Sequence, residues 1–293
     1  MAGWTLGVIG GSGLYEIEGL QDAAWRRVES PFGAPSDEFL TGRLGDVRLV
    51  FLPRHGRGHR LPPTSVNSRA NIDALKRAGC TDIVSLSAVG SLRESLAPGD
   101  FVVVDQFIDR TFAREKSFFC EGLAAHVSMA EPVCPRLSRF AAEAARGAGA
   151  RLVEGGCYLA MEGPQFSTKA ESALYRSWGC DVIGMTNMPE AKLAREAELP
   201  YASVAMVTDY DCWHEDFAHV EVTHIQAVLA GNAARARDLI RRLAQSLPPT
   251  REPSPIDTCL DGALLTSASA RDPAVAERLS AVAGRVLGKI QGA

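Results

Sequence analysis

The 293-residue chain has no apolar run approaching the roughly 18 to 20 residues that a membrane-spanning helix needs. Its start, Met1-Ala2-Gly3-Trp4, lacks the basic-then-apolar layout of a secretory signal, so a soluble cytoplasmic protein is expected. A strong charge of either sign is missing too. Thirty-one Lys and Arg against 35 Asp and Glu leave a net charge of -4, which gives no global pull toward nucleic acid or anionic lipid. Any phosphate recognition must therefore be local. The seven cysteines, Cys80, Cys120, Cys134, Cys157, Cys180, Cys212 and Cys259, never fall in C-x-x-C or C-x-C spacing and none sits at ligand spacing with a histidine. Reduced, mostly buried thiols and no metal are expected. Internal repeats are absent, and 46% hydrophobic with 23% charged residues is ordinary globular composition, which excludes fibrous and disordered classes.

What is there is an alternation of short apolar segments and helical spacing. Thr5 to Ile9, Val47 to Leu52, Ile83 to Leu86, Phe101 to Val104, Gly156 to Met161, Val182 to Met185 and Ala202 to Val207 are short, bounded by turn residues and rich in β-branched side chains, as strands are. Between them Ser68 to Ala78, Pro135 to Ala148, Ala170 to Trp178, Glu190 to Ala197 and Val222 to Leu243 carry helical periodicity. This order predicts a layered α/β domain over 1–247 with a parallel or mixed sheet, in which ligands collect at strand ends. Pro248 to Pro255 is too proline-dense for a helix and reads as a linker. The extension 256–293 contains a helix opened by Asp272-Pro273, with Val275, Leu279, Val282, Val286 and Ile290 on one stripe.

Several strand ends carry groups suited to anions. Gly10-Gly11-Ser12-Gly13 brings backbone N–H groups and the Ser12 hydroxyl into a tight turn, although it matches neither a Walker loop nor G-x-G-x-x-G. Arg54-His55-Gly56-Arg57-Gly58-His59 packs four cationic or ionisable side chains into six residues, and an arginine fork matches a phosphate at two points. Ser85 to Ser91 runs from a strand into small residues and hydroxyls. In the second half, Met161-Glu162-Gly163-Pro164-Gln165-Phe166-Ser167 places an aromatic ring that either joins the core or stacks on a base. Asp209 and Asp211 follow an apolar strand two residues apart. If the strand continues, both carboxyls share one side, and their proximity raises at least one pKa toward a useful proton donor.

These segments, in order from Gly7 to about Ile225, resemble the purine nucleoside phosphorylase family, in its methylthioadenosine phosphorylase branch. The motifs that carry the resemblance are Gly7 to Leu14, Arg54 to Arg57 with His59, Gly90 to Glu94 through Pro98-Gly99-Asp100, Asp105 to Thr111, Glu162-Gly163-Pro164 and Thr208 to Trp213. Ser12 and Ser87 stand where threonine is frequent in that family and Val89 where cysteine is. The resemblance implies a single α/β domain with a mixed, partly barrel-like sheet flanked by helices, assembled as a homotrimer or hexamer. It implies phosphate binding by Ser12, Arg54, His55, Ser87, Ala88 and Thr186, and a base pocket lined by Phe166 and Ser167. Met185 would lie along the ribose, Asp209 and Asp211 at the purine edge, and Val222, Ile225 and His59 around an apolar 5′ pocket. His126 and Leu265 resemble residues that a neighbouring subunit contributes.

The implied reaction is phosphorolysis of a 5′-methylthio adenine nucleoside, with Asp209 as the acid that protonates the leaving base and Asp211 as acceptor of its amine. Phosphate is a co-substrate, and the chemistry requires no metal or organic cofactor. Three other readings stay open at this point: a 6-oxopurine or methylthioinosine phosphorylase, a nucleosidase that uses water, and a non-catalytic nucleoside-binding protein. The paired Asp residues speak against the first, because a carboxylate facing a 6-oxo group needs its own proton. The second has no need of the Arg54-His55 cluster, and the third would be expected to lose either that cluster or the acid pair.

Overall fold

The computed structural model describes residues 3–11, 13–214 and 222–288, with the backbone alone over 222–227. Ser12, Ile290, and the Val222 and Ile225 side chains, lie outside the described residues. Eleven strands form one mixed sheet: β1 Thr5–Gly10, β2 Gln21–Arg26, β3 Phe39–Leu44, β4 Val47–Pro53, β5 Asp82–Ser91, β6 Phe101–Val104, β7 Gln106–Arg110, β8 Leu152–Glu154, β9 Cys157–Met161, β10 Val182–Gly184 and β11 Tyr201–Asp209. The helices are α1 Ser68–Arg77, α2 Pro135–Gly147, α3 Lys169–Ser177, α4 Glu190–Glu196, α5 Val222–Ser246, α6 Pro273–Arg278 and α7 Ser280–Leu287.

The helix starts follow from capping. Asn67 Oδ1 accepts from the Ala70 amide, and Thr168 with Glu171 forms a reciprocal capping box. Pro135 occupies the first turn of α2, where its missing N–H costs nothing. Along β1 and β4 successive side chains enter opposite cores: Leu6, Val8, Leu49 and Phe51 face α2 and α5, while Ile9, Val50 and Leu52 face the α1, α4 and α7 side. Helices on both faces explain why these strands read as continuous apolar runs.

All seven expected strands and five expected main-domain helices are present, with ends displaced by a few residues. The expectation for β5 stopped too soon, at Leu86, because serine, alanine and glycine then replace the β-branched run. Four strands went unread. β2 is an exposed edge strand of sequence QDAAWR, and β8 is three residues long, so neither carries an apolar pattern. The single helix expected after Asp272 is two, divided at Leu279, although Asp272 caps the first as its sequence foretells. Ala276, Leu279, Val282 and Ala283 join the core beside α1 and α4. Segment 248–255 is strapped to the base of the sheet. Trp4 Nε1 donates to Pro248 O at 2.8 Å, and Arg251 pairs with Asp82 and Asp257.

Candidate active site

β5 changes partners halfway along its length. It pairs with β1 up to Ser85 opposite Ile9, and with β10 at Gly90 opposite Ile183. Between these points no described strand pairs with that side of Leu86 to Val89, while β11 runs on along the other side. Diverging neighbours of this kind leave the crevice in which α/β sheets hold ligands. Here it is a cavity of about 410 Å³, whose walls include Leu86 to Gly90, Gly11, Arg54, His55, His59, Phe166, Ile183 to Thr186, Asp209 and Asp211.

Arg54 leaves β4 directly into the fork between β1 and β5, where its amide donates to Gly10 O at 2.9 Å. Nη1 donates to Leu86 O at 3.0 Å, and Nη2 to Ser85 Oγ at 2.6 Å and Ile9 O at 3.4 Å. Nε and Nη2 meet the buried Glu190 carboxylate at 2.9 and 3.2 Å. Glu190 also accepts from Ser85 Oγ and Tyr201 OH. Burial pushes the Glu190 carboxyl up, but the guanidinium outweighs it and holds the acid below its usual range. The expected two-point fork toward an anion is thus corrected: that face belongs to Glu190. With Nε, both Nη2 protons and one Nη1 proton engaged, four of the guanidinium's five N–H groups are spent on described residues and one remains.

His55 donates from Nδ1 to Leu61 O at 2.9 Å, which leaves the Nε2 lone pair exposed as an acceptor. Its ring stacks on His59 with centroids 4.4 Å apart. Burial, aided by the Arg54 charge, lowers its pKa to about 4, so the imidazole is neutral at pH 7. Ser87 Oγ is buried with no hydrogen-bond partner among the described residues. Ala88 follows it on the same wall.

The opposite strand ends are clamped by Arg114 and Glu162. Arg114 donates to Glu162 Oε1 at 3.0 Å and to the carbonyls of Met161, Glu162, Met185 and Met188, which ties the end of β9 to the loop after β10. The Phe112 and Ala113 amides and Thr64 complete the shell of Glu162, and these bonds override burial to hold its pKa near 2. Met185 and Thr186, both on the cavity wall, are fixed by this clamp. Glu162 is scaffold rather than acid.

Asp209 ends β11 opposite Gly90. The strand does not continue to Asp211, as the sequence argument had required. Asp211 takes φ +53° in a short turn, and its amide donates to Asp209 Oδ1 at 2.8 Å, closing the two residues on each other. Both line the cavity by this turn instead of by strand alternation. Asp209 Oδ2 accepts from Thr208 Oγ1 at 2.7 Å, and Asp211 Oδ2 accepts from Ser172 Oγ. Burial raises the Asp211 pKa to about 6, with Asp209's charge adding to the rise and the Ser172 bond opposing it.

Phe166 lies on the wall and is 53% exposed. Ser167 does not line the cavity: it is buried behind Phe166, its hydroxyl 3.7 Å from Met161 Sδ and its carbonyl accepting from the Cys212 thiol. His126 and Leu265 stand elsewhere, exposed on either side of the Ala125–Leu264 bridge, where His126 N donates to Ala263 O and Leu265 N to Ala124 O. Apart from Thr208, the rest of the pocket wall is apolar, with Leu14, Pro63, Met161, Met206, Leu229 and Ala233. Among the described residues no group of three His, Cys, Asp or Glu side chains has metal-binding geometry. Sequence reasoning missed Glu190, Arg114 and Tyr158. The signal available for the first was a carboxylate inside the apolar pattern Ala191, Leu193, Ala194, Ala197.

The profile of the phosphorylase superfamily matches residues 5–245. An S-methyl-5′-thioadenosine phosphorylase of Cereibacter sphaeroides is 64% identical over 96% of this chain and 98% of its own. The chain belongs to the methylthioadenosine phosphorylase family of the phosphorylase superfamily. A methylthioadenosine phosphorylase from an Antarctic soil metagenomic library superposes with a TM-score of 0.91 at 44% identity, covering 96% of this chain and 99% of that one. The Schistosoma mansoni methylthioadenosine phosphorylase, solved in complex with tubercidin, superposes at 0.76 with 39% identity over 83% of this chain and 91% of that one. The fold expected of the family, one α/β domain with a mixed sheet flanked by helices, is the fold found.

Proposed function

We propose that the protein catalyses phosphorolysis of S-methyl-5′-thioadenosine to adenine and S-methyl-5-thio-α-D-ribose 1-phosphate. The observation that carries this reading is one cavity with anion-binding groups at Ser87 and Ala88 and a carboxyl pair at the level of Gly90, three residues further along β5. At roughly 3.3 Å per strand residue these ends lie about 10 Å apart, a span suited to a phosphate beneath a purine nucleoside. The names of the relatives support the same substrate.

Phosphate sits against Arg54, His55, Ser87, the Ala88 backbone and Thr186, with Ser12 completing the site. The neutral His55 accepts, through Nε2, the proton of a hydrogen phosphate, and the free Nη1 N–H of Arg54 and the hydroxyls donate to its other oxygens. Adenine is a poor leaving group until N7 is protonated. The Asp209–Asp211 pair supplies that proton and takes a hydrogen bond from the 6-amino group. Burial brings the Asp211 pKa to about 6, close enough to neutrality for the pair to take up and pass on a proton, and the two carboxyls, joined through the Asp211 amide, are best treated as one titrating unit. As the C1′–N9 bond breaks, the sugar becomes cationic and the phosphate anion below it stabilises the charge before forming the new C1′–O bond.

Phe166 packs on the base and Met185 along the ribose. Leu14, Pro63 and Leu229, with His59, Val222 and Ile225, favour a thioether over a hydrated 5′-hydroxyl. His126 and Leu265 serve the site of a neighbouring copy in a homotrimer. The reaction requires neither a metal nor an organic cofactor, and salvages adenine and the methionine carbon skeleton in the cytoplasm. No helix among the described residues is long and apolar enough to cross a membrane.

The test is chromatographic. The purified protein is incubated with methylthioadenosine, methylthioinosine, adenosine or inosine, with and without phosphate. Adenine released from methylthioadenosine only with phosphate is the expected result. Release without phosphate makes the protein a nucleosidase, hypoxanthine alone makes it a 6-oxopurine enzyme, and no release at all makes it a binding protein.

A further inference from the structure

Tyr158 is fully buried on β9, and its hydroxyl reaches the Thr186 backbone and side chain together. Thr186 N donates to the phenol oxygen at 3.4 Å, and the two hydroxyl oxygens are 3.1 Å apart. Thr186 Oγ1 lies 3.0 Å from Asn187 Oδ1, to which only its own proton can be given. With that proton spent, Thr186 Oγ1 accepts from Tyr158, and the chain of donation runs Tyr158 to Thr186 to Asn187. Asn187 in turn donates through Nδ2 to Ser203 Oγ. The backbone makes room for the phenol. A Cβ at Gly184 would lie 2.0 Å from the Tyr158 oxygen, so that glycine is the only residue that leaves the hydroxyl in place.

We propose that Tyr158 is a positioning residue for phosphate, resting on the phosphorolysis reading above. A hydroxyl beside an anion helps only if it presents its proton, because a lone pair aimed at the anion repels it. The Tyr158 O–H occupies the lone pair of Thr186 Oγ1 from behind, so when phosphate arrives the Thr186 proton turns from Asn187 to the anion and the oxygen stays paired. The same phenol accepts the Thr186 amide and so fixes the loop between β10 and α4. Donation into a hydroxyl also strengthens it as a donor. Tyr158 does not line the cavity and touches no substrate; its effect passes chiefly through Thr186, with the Ser87 hydroxyl beside the phenol as a second, weaker route.

The test is a kinetic cycle with Tyr158→Phe, Thr186→Val and the double variant, measured against inorganic phosphate and against methylthioadenosine. Tyr158→Phe removes one oxygen from a buried ring and leaves the packing intact. Its KM for phosphate is expected to rise about 3- to 10-fold, the range of one neutral hydrogen bond. Its kcat at saturating phosphate and its KM for the nucleoside stay within twofold. In the Thr186→Val background the further change Tyr158→Phe adds a smaller rise than in the wild type, since the main group it acts through is gone. An unchanged phosphate KM in Tyr158→Phe overturns the inference, as do multiplying effects in the double variant or an equal rise in nucleoside KM. Phosphate binding by the wild-type protein, measured by calorimetry, separates the two levels. Absence of binding there removes the phosphorolysis reading and this inference together, whereas wild-type binding matched by Tyr158→Phe removes the inference alone.

Discussion

β5 has buried charge at both ends, and the two ends use it differently. At the base, Asp82 is fully buried between Arg136 and Arg251, and Arg251 extends the network to Asp257. Both guanidinium groups lie over the Trp4 ring, at 5.1 and 5.9 Å from its centroid. Every partner named there is protein, and the network holds the 248–255 strap to the sheet. At the mouth, Arg54 and Glu190 form an equally buried pair, yet capacity is left over. Ser87 Oγ is unpartnered among the described residues and His55 Nε2 is an open acceptor, both on residues that line the cavity. Of the five described non-glycine residues with positive φ, His59, Asn187 and Asp211 lie at or beside the cavity, while Asp22 and Glu198 lie elsewhere. Among the described residues the base network borders no cavity and stabilises the fold even though Arg136 Nε is left without a partner; at the mouth the spare groups line a cavity, where a ligand can complete them.

The sharpest way to break this comparison is at the base. Asp82→Ala leaves the Arg136 guanidinium without its carboxylate and Arg251 with Asp257 alone, and is expected to cost about 3–5 kcal/mol in denaturant unfolding. Its KM values and kcat should stay within twofold of wild type. A matching loss of turnover in the folded variant would show that the two ends are not separate. At the mouth the pattern reverses. Asp209→Asn is expected to lower kcat by about 10²-fold or more, as loss of a general acid does, with phosphate KM within threefold.

Ser87→Ala refines the contrast within the mouth. It removes a hydroxyl that bonds to no described residue, so unfolding stability should hold or improve while phosphate KM rises several-fold. The smallest effect concerns pH. Asp211 has a folded pKa raised from 3.8 to about 6, so the native state binds the extra proton and loses stability as pH rises through that window. Asp211→Asn removes the buried charge. It should raise the melting temperature by roughly 2–4 °C at pH 8, with the gain fading below pH 5, read by calorimetry across pH. A gain that is independent of pH would contradict the burial argument.

Legibility from sequence divides along the same line. The strands β1, β4, β6 and β11 were readable because helices cover both their faces and impose apolar runs. β2 and β8 were not, since an exposed edge and a three-residue strand leave no such pattern. In the site, Arg54, His55, Ser87, Thr186, Asp209 and Asp211 were named from motifs and all line one cavity. Their arrangement was not legible. That Glu190 takes the arginine fork depends on α4 packing against α1 and β11, which brings it to Arg54 and Ser85, more than a hundred residues away in sequence. That Asp211 reaches the cavity depends on a positive-φ turn that aspartate adopts only with local support from Asp209. The clamp of Arg114 on four carbonyls is equally non-local, and an arginine in the mixed-charge run Arg114-Glu115-Lys116 gives no hint of it.

The central claim is that one cavity brings phosphate and an adenine nucleoside together so that the sugar passes from base to phosphate. Phosphorus-31 NMR of the purified protein with methylthioadenosine and inorganic phosphate follows that transfer directly. The account predicts a new sugar phosphomonoester resonance growing in step with free adenine, at the expense of inorganic phosphate. Adenine formed with no new phosphorus signal, or no adenine at all, would contradict it.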